Sequence, residues 1–315
     1  MFGEQVMRVS QPATAASIPR NRHRRREAWW GMACVAPAVI GFLLWQLGPI
    51  AGSLFLAFTD WSIAGTPHWV GLQNFHRMFT ADDLFYKSLS VTGIYTLASV
   101  PLSMGAAFFL ALLLNRKMPG LTLFRTIFFL PSVIPVIAGS VVWLWLFNPD
   151  FGLLNALLGS LGVPKLQWIY DESTVLPSLI LMNLWGIGPM MVIFLAGLQG
   201  IPRELYEAAA IDGGRTIHKL WHITIPLMTP TILFNLILSI IDTLQVFTQP
   251  YVMTQGGPNN ASLLYVLYLY RKAFQELQMG YASALAWVLF VIVALVSFLV
   301  LRSSRRWVHY GGGEV

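Results

Sequence analysis

Five polar residues recur at helical spacing in the last third of the chain. They are Asn235, Ser239, Asp242, Gln245 and Gln249, separated by four, three, three and four positions, with Thr243 beside them. Residues three and four apart share one face of an α-helix, so this spacing predicts a single polar stripe. Amides, hydroxyls and a carboxylate can exchange hydrogen bonds with a polar solute. The chemistry available to the stripe is therefore hydrogen bonding.

Residues 227–253 around the stripe are otherwise apolar and long enough to cross a bilayer as a helix. A carboxylate at the bilayer centre costs about 2.5–3.5 kcal/mol, so Asp242 is expected to face protein or water. One interpretation of the stripe is the wall of a solute path. The other is helix association, because Asn, Ser and Gln also form hydrogen bonds between helices. We favour the path, because the aligned polar groups outnumber those that helix association needs.

The preceding apolar segment carries a second set at a similar depth, namely Asn183, Trp185, Gly186 and Gly188. Asn183 and Trp185 can donate hydrogen bonds to a solute, so the set can belong to the same path. Glycine is equally suited to close packing of two helices. Both interpretations stay open, and the predicted path includes Asn183, Trp185 and Gly186.

Motifs for covalent catalysis are absent from the sequence. No Gly-Lys pair occurs, so the phosphate-binding loop G-x-x-x-x-G-K-[ST] is missing, and neither G-x-S-x-G nor H-E-x-x-H is present. The single cysteine, Cys34, lies in an apolar run. His218 and His222 have i, i+4 spacing but no third ligand nearby, which favours polar loop residues over a metal site. We therefore expect no catalytic residue, no metal and no cofactor on this chain.

The composition is that of a membrane protein. Of 315 residues, 56% are hydrophobic and 11% are charged, with a mean hydropathy of +0.63. Soluble domains carry about 25% charged residues, so the charges here are too few to cover a soluble globule. Six apolar segments are each long enough to cross a hydrocarbon core about 30 Å thick. The sequence thus predicts an all-α membrane protein with six transmembrane helices, at about residues 32–58, 89–114, 126–147, 175–198, 227–253 and 282–301.

The basic residues predict the orientation of these helices. Six of them precede the first span, namely Arg8, Arg20, Arg22, Arg24, Arg25 and Arg26. With the N-terminus inside, fifteen of the 20 Lys and Arg residues lie on the cytoplasmic side, as the positive-inside rule requires. No nucleic-acid fold accompanies the basic tail, so no nucleic-acid partner is expected. We expect both termini in the cytoplasm, with residues 1–28 a partly disordered tail and residues 310–315 a short C-terminal tail.

Residues 200–226, which we call the EAA segment, form a polar connection between the fourth and fifth spans. Pro202 suits the first turn of a helix, and Gly213 with Gly214 ends the helical run. Such a helix can lie across the foot of a membrane bundle and offer a surface of small residues to a partner. Its apolar side consists of Leu205, Ala208, Ala209 and Ile211.

A second, short helix is predicted at the end of the EAA segment. We expect it to begin with Thr216 as its cap and to run through Trp221, because a threonine side chain can accept a hydrogen bond from the first turn. Pro226 then opens the fifth apolar segment.

The spacing within this segment carries a resemblance to a known family. Glu207-Ala208-Ala209, Gly213 after three residues, and Ile223-x-Ile225-Pro226 after nine more resemble the EAA loop of permease subunits in ATP-binding-cassette importers. The resemblance implies a type I importer permease fold over residues 29–309, with the first helix of the segment docking on an ATPase subunit. The ATPase contacts that it implies are Glu207, Ala208, Ala209, Asp212, Gly213, Ile225 and Pro226.

Further motifs point to one branch of that family. Phe58-Thr59-Asp60-Trp61, Phe128-Phe129-Leu130-Pro131 and Gly256-Gly257-Pro258 are similar to stretches of carbohydrate-type permeases. The resemblance implies a multi-pass protein of a bacterial or archaeal plasma membrane that forms half of a sugar path. It also implies a second permease subunit, two ATPase subunits and an extracytoplasmic solute-binding protein as partners.

Other functions stay open at this point. The same machinery could import glycerol 3-phosphate, but the spans hold no Arg or Lys to meet a phosphate, which favours a neutral sugar. A self-sufficient channel or ion-driven carrier would be expected to contain an internal repeat and buried ionisable pairs, and Asp242 has no obvious cationic partner within the spans. An intramembrane enzyme is disfavoured by the missing catalytic motifs.

Overall fold

Helices account for most of the chain that the structure describes. A computed structural model describes residues 20–63, 65–116 and 119–309, with side chains from residue 26 onward. Within these ranges the only paired extended residues are Thr59 and Trp69, which form an isolated antiparallel bridge. The predicted all-α class is therefore confirmed. Residues 1–19, where disorder was expected, and residues 310–315 lie outside the described ranges.

The N-terminal unit, residues 1–53, is separate from a second unit that comprises residues 54–315. Helix α1 is Arg20–Phe42, and a π-helical turn at Leu43–Leu47 joins it to α2, Gly48–Leu56. The end of the tail predicted over residues 1–28 overlaps α1, because residues 20–28 are helical. Arginine and alanine are good helix formers, so the basic run extends the helix of the first span.

Fourteen residues of the first span expose a large hydrophobic side chain, and Trp45 is 82% exposed. No residue in the most apolar window of Arg26–Leu56 is buried. Such a surface suits lipid or another membrane helix. The π-helical turn precedes Pro49, which has no N–H for the regular helical hydrogen bond, and local widening of this kind accommodates a proline within a span.

The second unit contains thirteen further helices in its described part. They are α3 (Gln73–Thr80), α4 (Asp83–Leu114), α5 (Leu121–Phe129), α6 (Val136–Leu146), α7 (Leu153–Ser160), α8 (Val175–Trp185), α9 (Gly188–Gln199), α10 (Arg203–Ile211), α11 (Thr216–Lys219), α12 (Ile225–Leu244), α13 (Thr248–Met253), α14 (Tyr265–Tyr270) and α15 (Met279–Ser304). Together with α1 and α2 they provide up to six spans in the described ranges, in agreement with the predicted fold.

Two predicted spans are bent rather than straight. The third consists of Leu121–Val133 and Val136–Leu146, which meet at 100°, and the fourth of Val175–Trp185 and Gly188–Gln199, which meet at 50°. Pro131 and Pro135 lie at the first bend, where they remove two backbone donors. At the second bend a two-residue break ends α8, and Pro189 starts α9.

Helix α4 is the central element of the second unit. It contacts α8, α9, α12 and α14. Small residues line its buried face, namely Ser88, Thr92, Ser99, Ser103, Ala107 and Ala111. Small side chains allow helix backbones to approach closely, which is how helices associate when lipid removes the hydrophobic driving force. The bundle is therefore assembled around the small-residue face of α4.

Asp82, at the N-terminal end of α4, joins that helix to α14 and α15. Its Oδ1 accepts a hydrogen bond from the Phe85 N–H at 3.0 Å, and its Oδ2 accepts hydrogen bonds from the Tyr268 and Tyr281 hydroxyls. The Arg77 guanidinium lies over the Tyr281 ring at 4.7 Å. Burial alone raises the pKa of Asp82, but these hydrogen bonds outweigh burial and hold the pKa below its ordinary value.

Replacing the carboxylate in Asp82→Asn should lower stability by about 1.5–3 kcal/mol at pH 7, because two hydroxyls lose a charged acceptor. A depressed native pKa contributes stability that is present above the unfolded pKa of about 3.9 and is lost as pH falls through the native pKa. The difference in stability between the wild type and the Asp82→Asn variant should therefore become smaller below about pH 4. Thermal unfolding of the detergent-solubilised chain measures both effects. The neighbouring exposed Asp83→Asn is the control, and an equal loss in both variants would contradict the assignment.

Candidate functional site

A polar cavity of about 210 Å³ lies between α4, the bend that joins α8 to α9, and α12. Six of the eight residues predicted for the solute path line it, namely Asn183, Gly186, Asn235, Ser239, Asp242 and Thr243. The structure thus brings together polar residues from two spans that are about 50 positions apart in the sequence. Their lining of one cavity supports the path over simple helix association as the explanation of the stripe.

Two of the predicted path residues do not line this cavity. The Trp185 ring packs edge-on against Trp143, with centroids 6.0 Å apart, and lies against Gly139. Gln245 is exposed and caps the end of α12. The polar stripe is also shorter than predicted, because α12 ends at Leu244 and Gln249 belongs to the separate helix α13.

Ser103 of α4 lines the cavity and was not predicted from the sequence. Its hydroxyl accepts a hydrogen bond from Asn183 Nδ2 at 3.0 Å, which links the α4 wall to the α8 wall. The only sequence signal was a serine four positions after Ser99 in an apolar helix, a pattern that helix packing also explains.

Asp242 differs from the other polar residues of the cavity. Asn235 Nδ2 donates to the Thr231 carbonyl at 3.1 Å, and the Thr243 hydroxyl donates to the Ser239 carbonyl at 2.7 Å. In the described part of the chain, no hydrogen bond or ion pair reaches the Asp242 carboxylate. The Asp242 carboxylate is therefore available to accept hydrogen bonds from a solute or from a partner protein.

The face of α12 that carries Asp242 is uncovered in the single chain. Phe234 is 53% exposed and Leu238 is 40% exposed. Leu238 lies about one helical turn before the exposed Asp242 and Phe234 about two turns before it, so the three residues share one face of α12. A carboxylate cannot face hydrocarbon cheaply, because the cost is about 2.5–3.5 kcal/mol. The α12 face therefore has the character of an interface that lines water or another protein.

The EAA segment begins with a helix whose end is sharply defined. Helix α10 starts after Pro202 and ends at Ile211. Gly213 has a φ of +78°, its N–H bonds to the Ala210 carbonyl, and the Gly214 N–H bonds to the Ala209 carbonyl at 2.7 Å. This pair of hydrogen bonds is a Schellman motif, which needs a left-handed residue and hence favours glycine. The predicted role of the two glycines in ending the helix is confirmed.

The outward face of α10 is not covered by any part of the chain that the structure describes. Glu207 and Ala208 are exposed, Leu205 is 42% exposed and Ile211 is 87% exposed. Tyr206 points the other way, into an apolar cluster, and its hydroxyl lies 2.9 Å from the Thr224 hydroxyl. The helix is thus attached to the bundle through Tyr206 while its apolar and acidic side faces outward.

The second helix of the segment differs from the prediction. Thr216 is the first helical residue of α11 and Arg215 occupies the cap position without a side-chain hydrogen bond. The helix does not stop at Trp221 but continues through a π-helical turn, Leu220–Thr224, into α12. In that turn the Ile225 N–H bonds to the Leu220 carbonyl. Because Pro226 has no N–H, the wider turn lets one continuous helix pass through it.

The two histidines of the segment are stacked on one another, with ring centroids 4.0 Å apart. His222 Nδ1 lies 3.0 Å from the His218 carbonyl. In the described residues no group of three His, Cys, Asp or Glu side chains is placed to hold a metal. Both histidines lie in helical turns, His218 in α11 and His222 in the π-helical turn that follows it.

Comparison with known proteins places these features in a family. The profile of the family "Binding-protein-dependent transport system inner membrane component" matches residues 99–309. The chain belongs to this family. Its members are non-catalytic permease components of ATP-binding-cassette transporters, so the resemblance inferred from the EAA spacing and the expectation of a non-enzymatic subunit are both confirmed. The family also makes the chain an inner membrane component.

Several relatives of this permease cover almost its whole length. The probable ABC transporter permease protein YesP of Bacillus subtilis is 42% identical over 304 residues, which cover 95% of this chain and 98% of YesP. The sulfoquinovosyl glycerol transport system permease SmoG of Agrobacterium fabrum is 33% identical over 274 residues, 86% of this chain and 89% of SmoG. The trehalose/maltose permease MalF of Thermococcus litoralis is 31% identical over 282 residues, 89% of this chain and 95% of MalF.

A solved structure has the same fold. A chain of a bacterial importer of the acidic polysaccharide alginate superposes with a TM-score of 0.81 over 91% of this permease and 99% of that chain, at 23% identity. The likeness shows the type I importer permease fold that the sequence predicted.

The bend between α8 and α9 yields a test with two matched alanine variants. A Cβ at Gly188 would lie 2.7 Å from the Phe128 carbonyl oxygen, whereas one at Gly186 would meet nothing closer than 3.6 Å. Gly188→Ala should therefore lower stability by about 1–3 kcal/mol through overpacking, and Gly186→Ala by much less. Melting temperatures in detergent measure the difference. Equal melting temperatures for the two variants would show that the bend does not pack tightly on α5.

Proposed function

We propose that this permease is one half of an ATP-driven, binding-protein-dependent sugar importer that receives mechanical work through the EAA segment. The observation that carries the proposal is the outward face of α10, which exposes Glu207, Ala208 and Ile211 on a helix firmly held by Tyr206. An uncovered amphipathic helix at the foot of a bundle is a surface for a partner protein. The partner in this proposal is an ATPase subunit.

The continuous helix from α11 through α12 supplies the mechanical connection. Thr224 meets Tyr206 near one end of this helix, and Asp242 lies 18 residues further along. A helix rises about 1.5 Å per residue, so a displacement of α10 would reach the cavity roughly 27 Å away through a single rigid element. Ile225 and Pro226 are half-buried just beyond the π-helical turn, so they transmit the displacement rather than contact the ATPase over an open face.

The contacts with the ATPase are assigned residue by residue. Glu207 supplies the charge, and Ala208 and the half-buried Ala209 are small enough to let the partner approach. Asp212 is the last residue before the left-handed turn, and Gly213 ends the helix where a side chain would both strain the backbone and obstruct the partner. This division gives Gly213 a conformational role in addition to its small size.

The cavity beside Asp242 is the proposed sugar path. It offers amide, hydroxyl and carboxylate groups, and its lining contains no Arg or Lys. This donor and acceptor set suits the hydroxyl groups of a neutral sugar and disfavours glycerol 3-phosphate, whose phosphate would meet Asp242 without a cation. The relatives named for trehalose and maltose and for multiple sugars support the same class of cargo.

A second permease subunit, homologous to this one, is proposed to cover the α12 face and complete the path. Such a partner would surround Asp242 with protein and water instead of hydrocarbon. The other partners are two ATPase subunits at the EAA segment and a solute-binding protein at the opposite end of the bundle. The alginate importer, whose structure was solved with a pentasaccharide-bound periplasmic protein, supports that arrangement. The basic residues favour a cytoplasmic EAA segment and cytoplasmic termini.

Two substitutions in the EAA segment test its coupling role, one that reverses a charge and one that adds a side chain at a glycine. Glu207→Lys and Gly213→Asp should each reduce ATP-driven uptake at least about tenfold, because a coupling energy of 1–3 kcal/mol is worth roughly 5–150-fold. Uptake of labelled trehalose, arabinooligosaccharide or diacetylchitobiose is measured in vesicles that contain the whole transporter. Glu172→Lys, at an exposed site far from α10 in the sequence, is the control. Membrane insertion should stay normal, and unchanged uptake in both variants would remove the coupling role.

Substitution at Asp242 tests the path separately. Asp242→Leu should reduce sugar uptake roughly 10–150-fold, because a hydrogen bond to a charged group contributes about 1.5–3 kcal/mol. The basal ATPase activity of the assembled transporter should stay unchanged, since α10 is intact. Gln249→Leu, on the separate helix α13, is the matched control and should retain uptake. Equal losses in the two variants would contradict the assignment of the cavity.

A further inference from the structure

A second cavity, of about 900 Å³, adjoins the first turn of α10. Its volume lies within the range of about 300–1,000 Å³ that is common for small-molecule sites. It opens at the end of the bundle that carries the EAA segment, away from the cavity around Asp242. Its lining residues are Asn115, Arg116, Pro119, Leu121, Arg125, Leu198, Gln199, Ile201, Arg203 and Tyr206.

The charged side chains of this cavity are all basic. Arg116, Arg125 and Arg203 line it, and no Asp or Glu does. None of the three forms an ion pair within the described ranges of the chain. Arg125 Nη2 donates to the Leu114 carbonyl at 2.9 Å, which holds the guanidinium in place, while its Nε is buried without a hydrogen-bond partner. A buried donor without a partner is costly, so the site is prepared for an acceptor.

Two helices begin at the edge of the same cavity. Leu121 is the first residue of α5 and Arg203 the first residue of α10, and both line it. Neither helix has a side-chain cap, because Gly120 and Pro202 occupy the cap positions. Uncapped helix starts leave backbone N–H groups free and add partial positive charge to the three guanidinium groups. The cavity therefore matches a group with several anionic oxygens, of which phosphate is the usual example.

One wall of the cavity is apolar and leads toward the membrane. Pro119, Leu121, Leu198 and Ile201 form it. Beyond Leu121, helix α5 exposes Leu123 (63%), Phe124 (50%) and Ile127 (52%). A free anion would gain no favourable contact from an apolar wall, whereas a lipid has both a charged phosphate and hydrocarbon chains that can pack against it. Basic pockets between transmembrane helices are also known to bind anionic lipid headgroups.

We propose that this cavity binds the phosphate of an anionic membrane lipid, with the acyl chains along the exposed side of α5. Arg125 is the fixed donor at the base of the site, and Arg116 and Arg203 close around the phosphate from the ends of α4 and α10. Because Arg203 and Tyr206 belong to α10, a bound lipid holds the first turn of that helix against α4 and α5. The binding claim is independent of the proposed transport function.

Native mass spectrometry of the detergent-purified full chain, titrated with phosphatidylglycerol, measures the affinity of the first bound lipid. The double variant Arg116→Gln/Arg203→Gln should bind it roughly thirtyfold more weakly, about fivefold for each arginine, as expected for about 1 kcal/mol per basic residue. This variant keeps Arg125, so the hydrogen bond to Leu114 and the fold are preserved. Arg215→Gln, an exposed arginine outside the cavity, is the matched control and should bind as wild type does.

Three results would overturn the proposal. The first is equal weakening by the double variant and by Arg215→Gln, which would indicate attraction to basic charge in general. The second is displacement of the lipid from wild type by inorganic phosphate at millimolar concentration, which would assign the cavity to a free anion. The third is loss of the lipid when the ATPase subunits assemble, which would assign the cavity to an acidic side chain of that partner. Weaker binding by the double variant alone, together with retention of the lipid against inorganic phosphate and after assembly of the ATPase subunits, supports the site.

Discussion

The cost of an unpaired polar group in hydrocarbon governs how this permease is built. Within the described spans, some polar side chains form hydrogen bonds inside the chain. Asn183 donates to the Ser103 hydroxyl, and Thr243 donates to a carbonyl of its own helix. Asp242 has no such partner and lies on an uncovered face of α12. Because a carboxylate in hydrocarbon is costly, we expect water or another protein to surround Asp242.

The mechanical design follows from a few contacts. Helix α10 is exposed along the side that carries Glu207, and it is attached to the bundle at Tyr206, whose hydroxyl meets Thr224. Thr224 belongs to the helix that continues, through the π-helical turn, to the polar cavity. The Schellman motif at Gly213 fixes where α10 ends and so fixes the direction in which a partner meets it. In the proposed function, this small exposed surface and the long helix would connect an ATPase subunit to the cavity.

Sequence periodicity predicted the class of fold and much of the cavity, because hydrophobic length and helical spacing are local properties. It did not predict the 100° bend near Pro131, since the direction of a proline bend depends on neighbouring helices. It also did not predict that the Trp185 ring packs against Trp143 from a distant part of the chain. It did not predict that Gln245 caps α12 either, because no sequence signal marked the end of that helix at Leu244.

The most direct test of the account is the location of Ala208. In a chain with Cys34→Ala and Ala208→Cys, a membrane-impermeant thiol reagent should label the new cysteine in inside-out vesicles and not in intact cells. Bound ATPase subunits should then protect it, because the exposed face of α10 would be covered. Labelling from the outside of intact cells, or equal labelling with and without the ATPase subunits, would contradict the central claim that this helix receives the work of ATP hydrolysis.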